Sequence, residues 1–256
     1  MHLPPPSARL TNHIKQLQNS RSERERVGRF IVEGAKGVAE VLASKLEVHA
    51  VVVTEKGRAA LDELKPHLSK IAVFELDETA YRPLSALVTP PGILVVVSTP
   101  VWSHEQVIKG VKTILAIDAV TDPGNMGTLL RTADWFGFSN VLIGKGSVEV
   151  TNPKVVQASM GSLTRIKWCT GDLRPLLTEL KERQWQLVAC AFEGEASLPK
   201  AEHLCLIVGS ESHGVAHDII RMSTAQYTIP GSGAVESLNA SVAGGIALHE
   251  RYVQLA

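Results

Sequence analysis

Cysteine is scarce in this sequence, and an excess of either charge is missing. The three cysteines, Cys169, Cys190 and Cys205, form no CxxC pair and are odd in number, which argues against a disulfide framework and fits a reduced compartment. Lys plus Arg number 26 and so do Asp plus Glu, so composition alone gives no reason to expect a nucleic-acid partner. Any basic surface must therefore be local.

Long hydrophobic runs and clusters of metal ligands are missing as well. The first ten residues hold no apolar run of signal-peptide length, and no stretch approaches the length of a membrane span. No group of His, Cys, Asp and Glu has the spacing of a metal site. We therefore expect a cytoplasmic protein that uses no membrane and no metal, and its 256 residues allow one large domain or two small ones.

The common nucleotide-binding fingerprints are incomplete. Gly144–Gly146 and Gly231–Gly233 each begin a GxGxxG pattern, but Glu149 and Glu236 stand at the position of the third glycine. A phosphate loop fails too, because Val215 replaces the lysine that would hold the phosphates. These departures disfavour a nicotinamide-dependent oxidoreductase and an NTPase.

Positive charge concentrates near the N-terminus. Between Arg9 and Lys36 seven basic residues stand against three acidic ones, a local balance of +4. A cationic arm of this kind can attract a phosphate backbone. Glu and Arg at helical spacing can equally pair along a solvated helix. On charge alone both interpretations stay open for residues 9–36.

The first half of the chain has the pattern of a small α/β domain over residues 1–98. Three short segments rich in β-branched residues predict buried strands at Val48–Val53, Ile71–Leu76 and Ile93–Val97. Apolar residues at helical spacing predict helices over Ala35–Ser44 and Glu55–Ser69, and Asp77 is expected to cap a helix at Glu78–Leu87. Residues 99–111 have no strong periodicity, and we interpret them as a linker.

Strands and helices alternate again over residues 112–256. The predicted strands are Thr113–Ala119, Asn140–Ile143, Leu187–Phe192, Leu204–Val208 and Gln226–Ile229. The predicted helices are Met126–Phe136, Pro153–Leu163, Leu173–Gln184, Ala216–Met222 and Ala240–Gln254. Such alternation predicts an α/β fold with a parallel sheet covered by helices on both faces.

Three loops of this second half are rich in Gly, Asn and Ser, at Asp122–Gly127, Gly209–Gly214 and Pro230–Asn239. In open parallel sheets, ligands bind beyond the carboxyl ends of the strands, where these loops are expected. Glycine lets a ligand approach the backbone closely, and the helix starts that follow offer unpaired N–H groups.

The same loops resemble the three signature motifs of the SpoU family of S-adenosylmethionine-dependent RNA 2′-O-ribose methyltransferases, in the knotted SPOUT superfamily. The matching segments occur in the family's order, at Asp122–Ala133, Leu206–Gly214 and Ile229–Ala243. The resemblance covers the chain from about residue 112 to the end. It implies a methyltransferase domain with a deep trefoil knot, and a homodimer.

The first half resembles the RNA-binding domain that often precedes this catalytic domain, a small α/β sandwich akin to certain ribosomal proteins. Arg29–Leu42 carries that likeness. The resemblance implies that the basic segment 9–36 contacts RNA. It also implies the reaction: a methyl group passes from S-adenosylmethionine to a ribose 2′-hydroxyl of ribosomal or transfer RNA. The alternative is a catalytically silent RNA-binding protein of the same fold.

The resemblance places five catalytic residues in the motifs, namely Asn125, Arg131, Glu211, Ser237 and Asn239. A guanidinium stays protonated, so Arg131 would stabilise the charge that develops on the ribose oxygen, unless it simply pairs with an acidic neighbour such as Asp134. Asn125 is expected in the loop before the helix with its amide turned toward the site, the alternative being a helix cap. Glu211 is expected to orient Arg131 or to accept a hydrogen bond from the substrate.

The third motif contributes to catalysis and to cofactor binding. Ser237 and Asn239 lie two residues apart and would share one side of an extended segment, and either can cap the last helix. By resemblance, the cofactor S-adenosylmethionine is held by residues of the second and third motifs, namely Gly209, Ile229 and Leu238. Gly244 and Gly245 weaken the last helix and predict close packing against the cofactor or a second subunit.

Two positions depart from the family's pattern. The family often has Met where this chain has Gly231, and Val is expected where it has Ala240. Neither change removes a proposed catalytic group, so the activity class is unaffected. The shape of the pocket and the substrate preference stay open.

Overall fold

The computed structural model of the chain describes residues 3–232 and 237–256. These residues form two compact units. The first unit consists of the chain up to Pro100 together with Glu149–Thr164. The second consists of Val101–Val148 and Arg165–Ala256. The return of Glu149–Thr164 to the first unit has no counterpart in the linear division into 1–98, 99–111 and 112–256, which stays a prediction.

Strands and helices are assigned along the described chain as follows. The strands are β1 (Arg29–Glu33), β2 (Val48–Val53), β3 (Val73–Glu75), β4 (Ile93–Ser98), β5 (Thr113–Ile117), β6 (Asn140–Gly144), β7 (Lys167–Gly171), β8 (Gln186–Glu195), β9 (Leu204–Val208) and β10 (Ala225–Tyr227). The α-helices are α1 (Ala8–Asn19), α2 (Arg21–Val27), α3 (Ala35–Ala43), α4 (Arg58–Leu64), α5 (Glu78–Tyr81), α6 (His104–Ile108), α7 (Pro123–Trp135), α8 (Pro153–Ser159), α9 (Leu173–Glu182), α10 (His217–Met222) and α11 (Ala240–Leu255). Short 3-10 turns occupy Glu55–Gly57, Lys65–His67, Arg82–Leu84 and Ser162–Thr164.

The first unit is built on a four-stranded sheet in the order β1-β4-β2-β3. β4 pairs antiparallel with both β1 and β2, whereas β2 and β3 run parallel. The predicted strands β2, β3 and β4 are confirmed, and β3 is shorter than expected. The Asp77 cap is confirmed too, because its Oδ1 accepts the Ala80 N–H at 2.8 Å. β1 was not predicted, although Phe30, Ile31 and Val32 are buried in the core.

The basic segment 9–36 folds into α1, α2, β1 and the start of α3 rather than forming a free arm. Arg21 pairs with Glu25 at 2.7 Å, and Arg26 pairs with Glu23 at 2.7 Å. Arg24 is buried, and its Nη2 donates to Glu149 at 2.9 Å. The pairing interpretation, with Glu and Arg at helical spacing, is therefore correct for Arg21 and Arg26, whereas the buried Arg24 pairs with Glu149, which lies outside the basic segment.

The second unit contains a six-stranded sheet in the order β10-β8-β9-β5-β6-β7, in which every pairing is parallel. One face carries Ile114 and Ile207 in a core shared with α6, α9 and α10. Val208 points to the opposite face, since successive side chains alternate, and there it approaches α11. The predicted parallel sheet with helices on both faces is thus confirmed. The edge strand β7 was not predicted.

The predicted linker contains a folded part. Ser103 caps α6 and forms a reciprocal capping box with Gln106. Val107 and Ile108 of this helix are buried in the core of the second unit. Five residues are too few for a visible period, which is why the sequence showed no helix here.

The last helix packs closely on α7. A β-carbon at Gly244 would overlap the Leu129 side chain and lie 3.2 Å from Val208. Gly244 therefore packs closely against α7 and β9 of the same chain, and packing of Gly244 or Gly245 against the cofactor or a second subunit stays a prediction. None of the helices in the described part of the chain combines the length and the apolar character needed to cross a membrane.

Candidate active site

The three glycine-rich loops lie at one edge of the parallel sheet. They follow β5, β9 and β10, and parallel neighbours end at the same edge. After β5 the chain passes Ala119, whose φ of 52° is rare for a residue with a side chain. It then reaches Asp122, which caps α7 by accepting the Asn125 N–H at 2.7 Å. The loop therefore delivers Asn125 to this edge within the first turn of a helix.

The loop after β9 is compact because two glycines permit it. Ser210 and Gly214 exchange backbone hydrogen bonds of 3.0 and 2.9 Å. A β-carbon at Gly209 would overlap the backbone of Gly214, so that position requires glycine. Asp118, buried at the end of β5, accepts the Ala216 N–H at 2.8 Å and ties this loop to the first one. Sequence reasoning missed Asp118.

Asn125 connects the three motifs through its side-chain amide. Its Nδ2 donates to Oε1 of Glu211 at 2.6 Å. Its Oδ1 accepts from Nδ2 of Asn239 at 2.9 Å. One residue from each motif thus joins in a continuous hydrogen-bonded chain. The amide of Asn125 faces the site as predicted, but the residue lies inside α7, and the cap is Asp122.

The helix start of α11 sets the orientation of Asn239. Oδ1 of Asn239 accepts the N–H groups of Ser241 at 2.9 Å and Val242 at 3.3 Å, so its Nδ2 must face Asn125. The capping role expected for Ser237 or Asn239 belongs to Asn239. Ser241, which the sequence analysis did not single out, is buried and donates its hydroxyl to Oδ1 of Asn239 at 2.7 Å.

Arg131 lies on the exposed face of α7. The alternative partner Asp134 is engaged elsewhere, because Arg165 donates to it at 2.8 Å. Within the described residues, no hydrogen bond or ion pair involves the Arg131 guanidinium. Glu211 accepts from Asn125, and within the described residues no hydrogen bond joins it to Arg131, so its orientation of Arg131 stays a prediction that this geometry does not support. The contact between Asn125 and Glu211 joins two loops, and the sequence alone does not show that these loops lie close together.

The remaining predicted residues lie in the third loop, of which residues 233–236 are outside the described chain. Ser237 is exposed two residues before Asn239. Leu238 is 45% exposed and Ile229 is half-buried. An apolar side chain this exposed beside a polar network offers a surface for the flat apolar part of a ligand. No cluster of three or more potential metal ligands occurs in the residues that the structure describes.

Comparison with protein families gives two matches, which cover different segments of the chain. Residues 112–249 match the SpoU rRNA methylase family, and residues 11–95 match the MRM3-like substrate binding domain. The chain belongs to the SpoU rRNA methylase family. The predicted family and the predicted class of enzyme, an RNA methyltransferase, are thereby confirmed.

Several known proteins are similar to this methylase over nearly the whole chain. The 23S rRNA (guanosine(2553)-2′-O)-methyltransferase RlmP of Bacillus subtilis is 31% identical over 234 residues, which cover 90% of this chain and 91% of the relative. A solved structure from Porphyromonas gingivalis, described as an RNA methyltransferase of the TrmH family, shares 34% identity and a TM-score of 0.82, covering 96% of this chain and 97% of its own.

A further solved structure shares the fold at lower identity. The SpoU methyltransferase AviRb of Streptomyces viridochromogenes, in complex with the cofactor AdoMet, has a TM-score of 0.85 at 22% identity and covers 98% of both chains. The two-domain α/β fold is therefore shared at full length. AdoMet is S-adenosylmethionine, the cofactor predicted from the sequence.

Asn125→Asp tests the hydrogen-bonded chain in this methylase. The change replaces Nδ2 by an oxygen about as close to the Glu211 carboxylate as the present 2.6 Å, and two carboxylates at that distance cannot both be ionised. We expect single-turnover methyl transfer to fall on the order of 10²-fold. The ratio of variant to wild-type rate should rise as the pH falls from about 8 to about 6, because a shared proton restores the hydrogen bond.

Asn125→Ala is the matched control, since it has no proton to share. Its rate relative to wild type should be low and insensitive to pH. An Asn125→Asp rate close to wild type at both pH values would mean that the Asn125–Glu211 contact has no part in the reaction.

Proposed function

We propose that this methylase transfers a methyl group from S-adenosylmethionine to a ribose 2′-hydroxyl of RNA, with ribosomal RNA as the first substrate to test. The observation that carries the proposal is the hydrogen-bonded chain Glu211–Asn125–Asn239, which joins one residue from each motif at the carboxyl edge of the sheet. The 2′-O chemistry in the printed name of the Bacillus subtilis relative supports it.

The side chains of the site have two roles, to supply positive charge and to hold other groups in position. The cofactor supplies an electrophilic methyl group when bound. Arg131 places a positive charge where the ribose oxygen becomes negative, which stabilises the transition state more than the bound substrate. Asn125 holds Glu211 in place by donating to it at 2.6 Å, and Asn239 in turn holds Asn125 by donating to its Oδ1 at 2.9 Å. The Glu211 carboxylate can then accept a hydrogen bond from the ribose hydroxyl.

The residues proposed for the cofactor fit its chemistry. Gly209 permits the tight loop of the second motif, because a β-carbon there would overlap the Gly214 backbone, and Leu238 and Ile229 offer apolar surface. Ser237 directly precedes Leu238 in the sequence and is proposed to contact the substrate. The deep trefoil knot belongs to the same proposal, and the return of the chain after β10 to pack α11 on α7 and β9 supports it. The cytoplasmic location stays a prediction.

We further propose a homodimer formed through the outer face of α7 and α11. Trp135 is 83% exposed at the end of α7, and Val242, Ile246 and Val253 of α11 are exposed at helical spacing. Large apolar side chains grouped in this way on paired helices mark an interaction surface. Arg131 lies one turn before Trp135 on the same face, so a second subunit would come close to the site.

Trp135→Glu is expected to convert the dimer to a monomer. The substitution puts a charge on the apolar face, where burial against a partner is costly. Light scattering after size-exclusion chromatography measures the mass directly. Phe192→Glu, at a 74% exposed position on β8, is the control and should leave the mass unchanged. A dimer that survives Trp135→Glu would place the interface elsewhere.

The reaction itself is tested with the full chain, S-adenosylmethionine carrying a deuterated methyl group, and ribosomal RNA. Digestion to nucleosides and mass spectrometry should reveal a labelled 2′-O-methylnucleoside. The silent RNA-binding alternative predicts binding of the RNA and no labelled nucleoside. Label on a base instead of the ribose would refute the 2′-O assignment.

A further inference from the structure

A cavity of about 280 Å³ lies inside the first unit, between β1 with the start of α3 and the segment from α8 to Thr164. Its volume is close to the lower end of the roughly 300–1,000 Å³ range of ligand pockets. A single flat heterocycle therefore matches it better than a larger ligand. The residues that line this cavity include none of Asn125, Glu211 and Asn239, which form the hydrogen-bonded site of the second unit.

The inner walls of the cavity are apolar. Val32, Val156 and Leu163 line it and are buried. Met160 also lines it and is 41% exposed, with a φ of 50° that is uncommon for a residue with a side chain. Gly161 follows with a φ of 92°. Methionine is a flexible, polarizable side chain that adapts to aromatic surfaces, so the backbone here presents an adaptable apolar group to the cavity.

The rim of the cavity is polar and carries one basic side chain from α3. The first turn of α3 lines it, and Gly34, which precedes that turn, provides no side-chain cap. N–H groups in the first turn of a helix have no partner within the helix. Lys36 and Gln157 line the cavity and are exposed. Such a rim can hydrogen-bond the edge of a heterocycle, and Lys36 can contact a phosphate.

We propose that this cavity receives one unstacked nucleobase of the RNA substrate. The proposal rests on the proposed function, because it presumes that RNA is the substrate. Proteins that recognise single-stranded RNA splay bases out, stack them on side chains and hydrogen-bond their edges. Residues 11–95 match a substrate binding domain, and that domain supplies the β1 and α3 side of the cavity. Apolar walls, N–H donors and Lys36 suit a base attached to a phosphate, and the Glu33 carboxylate that also lines the cavity already accepts hydrogen bonds from Gln18, Ser85 and Ala86.

Methionine-methyl NMR on the full chain tests occupancy directly. The sequence holds four methionines, and Met160→Leu assigns the Met160 signal by its loss. Nucleoside 5′-monophosphates are the probes, each added to millimolar concentration. We expect the Met160 methyl signal to shift through the ring current of the stacked base, while the buried Met126 of the second unit stays in place. No response of Met160 to any of the four nucleotides overturns the proposal.

Gln157→Trp closes the cavity from its exposed rim, and Gln157→Ala leaves it open at the same position. We expect Gln157→Trp to abolish the Met160 shift and to raise the KM for RNA about tenfold with kcat little changed, within the range that stacking of one base supplies. Gln157→Ala should stay within about threefold of wild type. An unchanged KM in Gln157→Trp, with normal methylation by the wild type, overturns the cavity proposal and leaves the proposed function standing.

Failure of the proposed methyltransferase function would give a different result from failure of the cavity proposal. If the wild type methylates no RNA, the Met160 shift still decides whether the cavity binds a nucleobase. A shift with the monophosphates would then support the cavity alone.

Discussion

Arg131→Ala is expected to lower single-turnover methyl transfer on the order of 10²–10³-fold or more, with cofactor binding nearly unchanged. The proposed partner of the guanidinium is the ribose oxygen, whose negative charge develops only on the way to the transition state. Loss of Arg131 should therefore lower kcat and leave the dissociation constant of S-adenosylmethionine close to that of the wild type. Rapid-quench measurements and calorimetry give the two quantities.

The surroundings of Arg131 separate this effect from folding. The side chain lies on the exposed face of α7, and among the described residues nothing pairs with it, since Asp134 is bound by Arg165. Truncation of an exposed side chain without partners typically changes stability by less than about 0.5 kcal/mol. Arg131→Ala should accordingly melt at the wild-type temperature, with and without cofactor.

Two variants sharpen this test. Arg131→Lys keeps the charge but loses the planar fork of donors, so it should recover little activity. Arg174→Ala removes an exposed arginine of the same unit, paired with Asp172 and Asp218, and should leave the rate unchanged. If Arg131→Ala turns over within a few-fold of wild type, Arg131 is structural, although the family membership would stand.

Most strands and helices were predicted from the hydrophobic pattern of the sequence, and there are physical reasons why the others were missed. β9 is an unbroken run of apolar residues and β2 is interrupted only by His49, and the bounds of both were predicted as observed. β7 lies at the edge of its sheet and reads Lys-Trp-Cys-Thr-Gly, with one buried residue in five, so no apolar run marks it. β1 is framed by Arg29 and Glu33, and the surrounding charge concealed its buried centre.

The sequence predicted which residues belong to the candidate site, but not which of them contact one another. Asn125 was placed in the loop before the helix, yet α7 begins at Pro123, and proline is well suited to a first helical position. Asp122 was available as the cap. The contact between Asn125 and Glu211 joins residues 86 positions apart, and no local pattern encodes such a pairing.

Asp118 and Ser241 show what local reasoning leaves out. Each is a small polar residue beside an apolar run, a type of residue that is ordinary in loops and helix starts. Their importance lies in burial, which gives each a specific partner across the site, Ala216 for Asp118 and Asn125 for Ser241. An acidic residue directly after a buried strand was the one available signal for Asp118.

Arg251→Ala is expected to destabilise the second unit strongly. The side chain is 1% exposed, and burial lowers the pKa of its guanidinium below the ordinary value. It donates to Oγ1 of Thr113 at 3.0 Å and to the carbonyl oxygens of Ala201 at 2.8 Å and Glu202 at 2.9 Å. Removing it leaves a cavity and several buried acceptors without a donor, each of which costs about 1–3 kcal/mol.

The expected loss is about 3 kcal/mol or more in the free energy of unfolding. For a unit of this size each kcal/mol lowers the melting temperature by roughly 2–4 °C, so the midpoint should drop by about 6–12 °C. Arg183→Ala is the matched control, because Arg183 forms an exposed pair with Glu179 one helical turn away, and such pairs contribute about 0.3–0.5 kcal/mol. Calorimetry of the full chain compares the two. An Arg251→Ala midpoint as close to wild type as that of Arg183→Ala would show that α11 is held by its packing against α7 and β9, with the buried guanidinium contributing little.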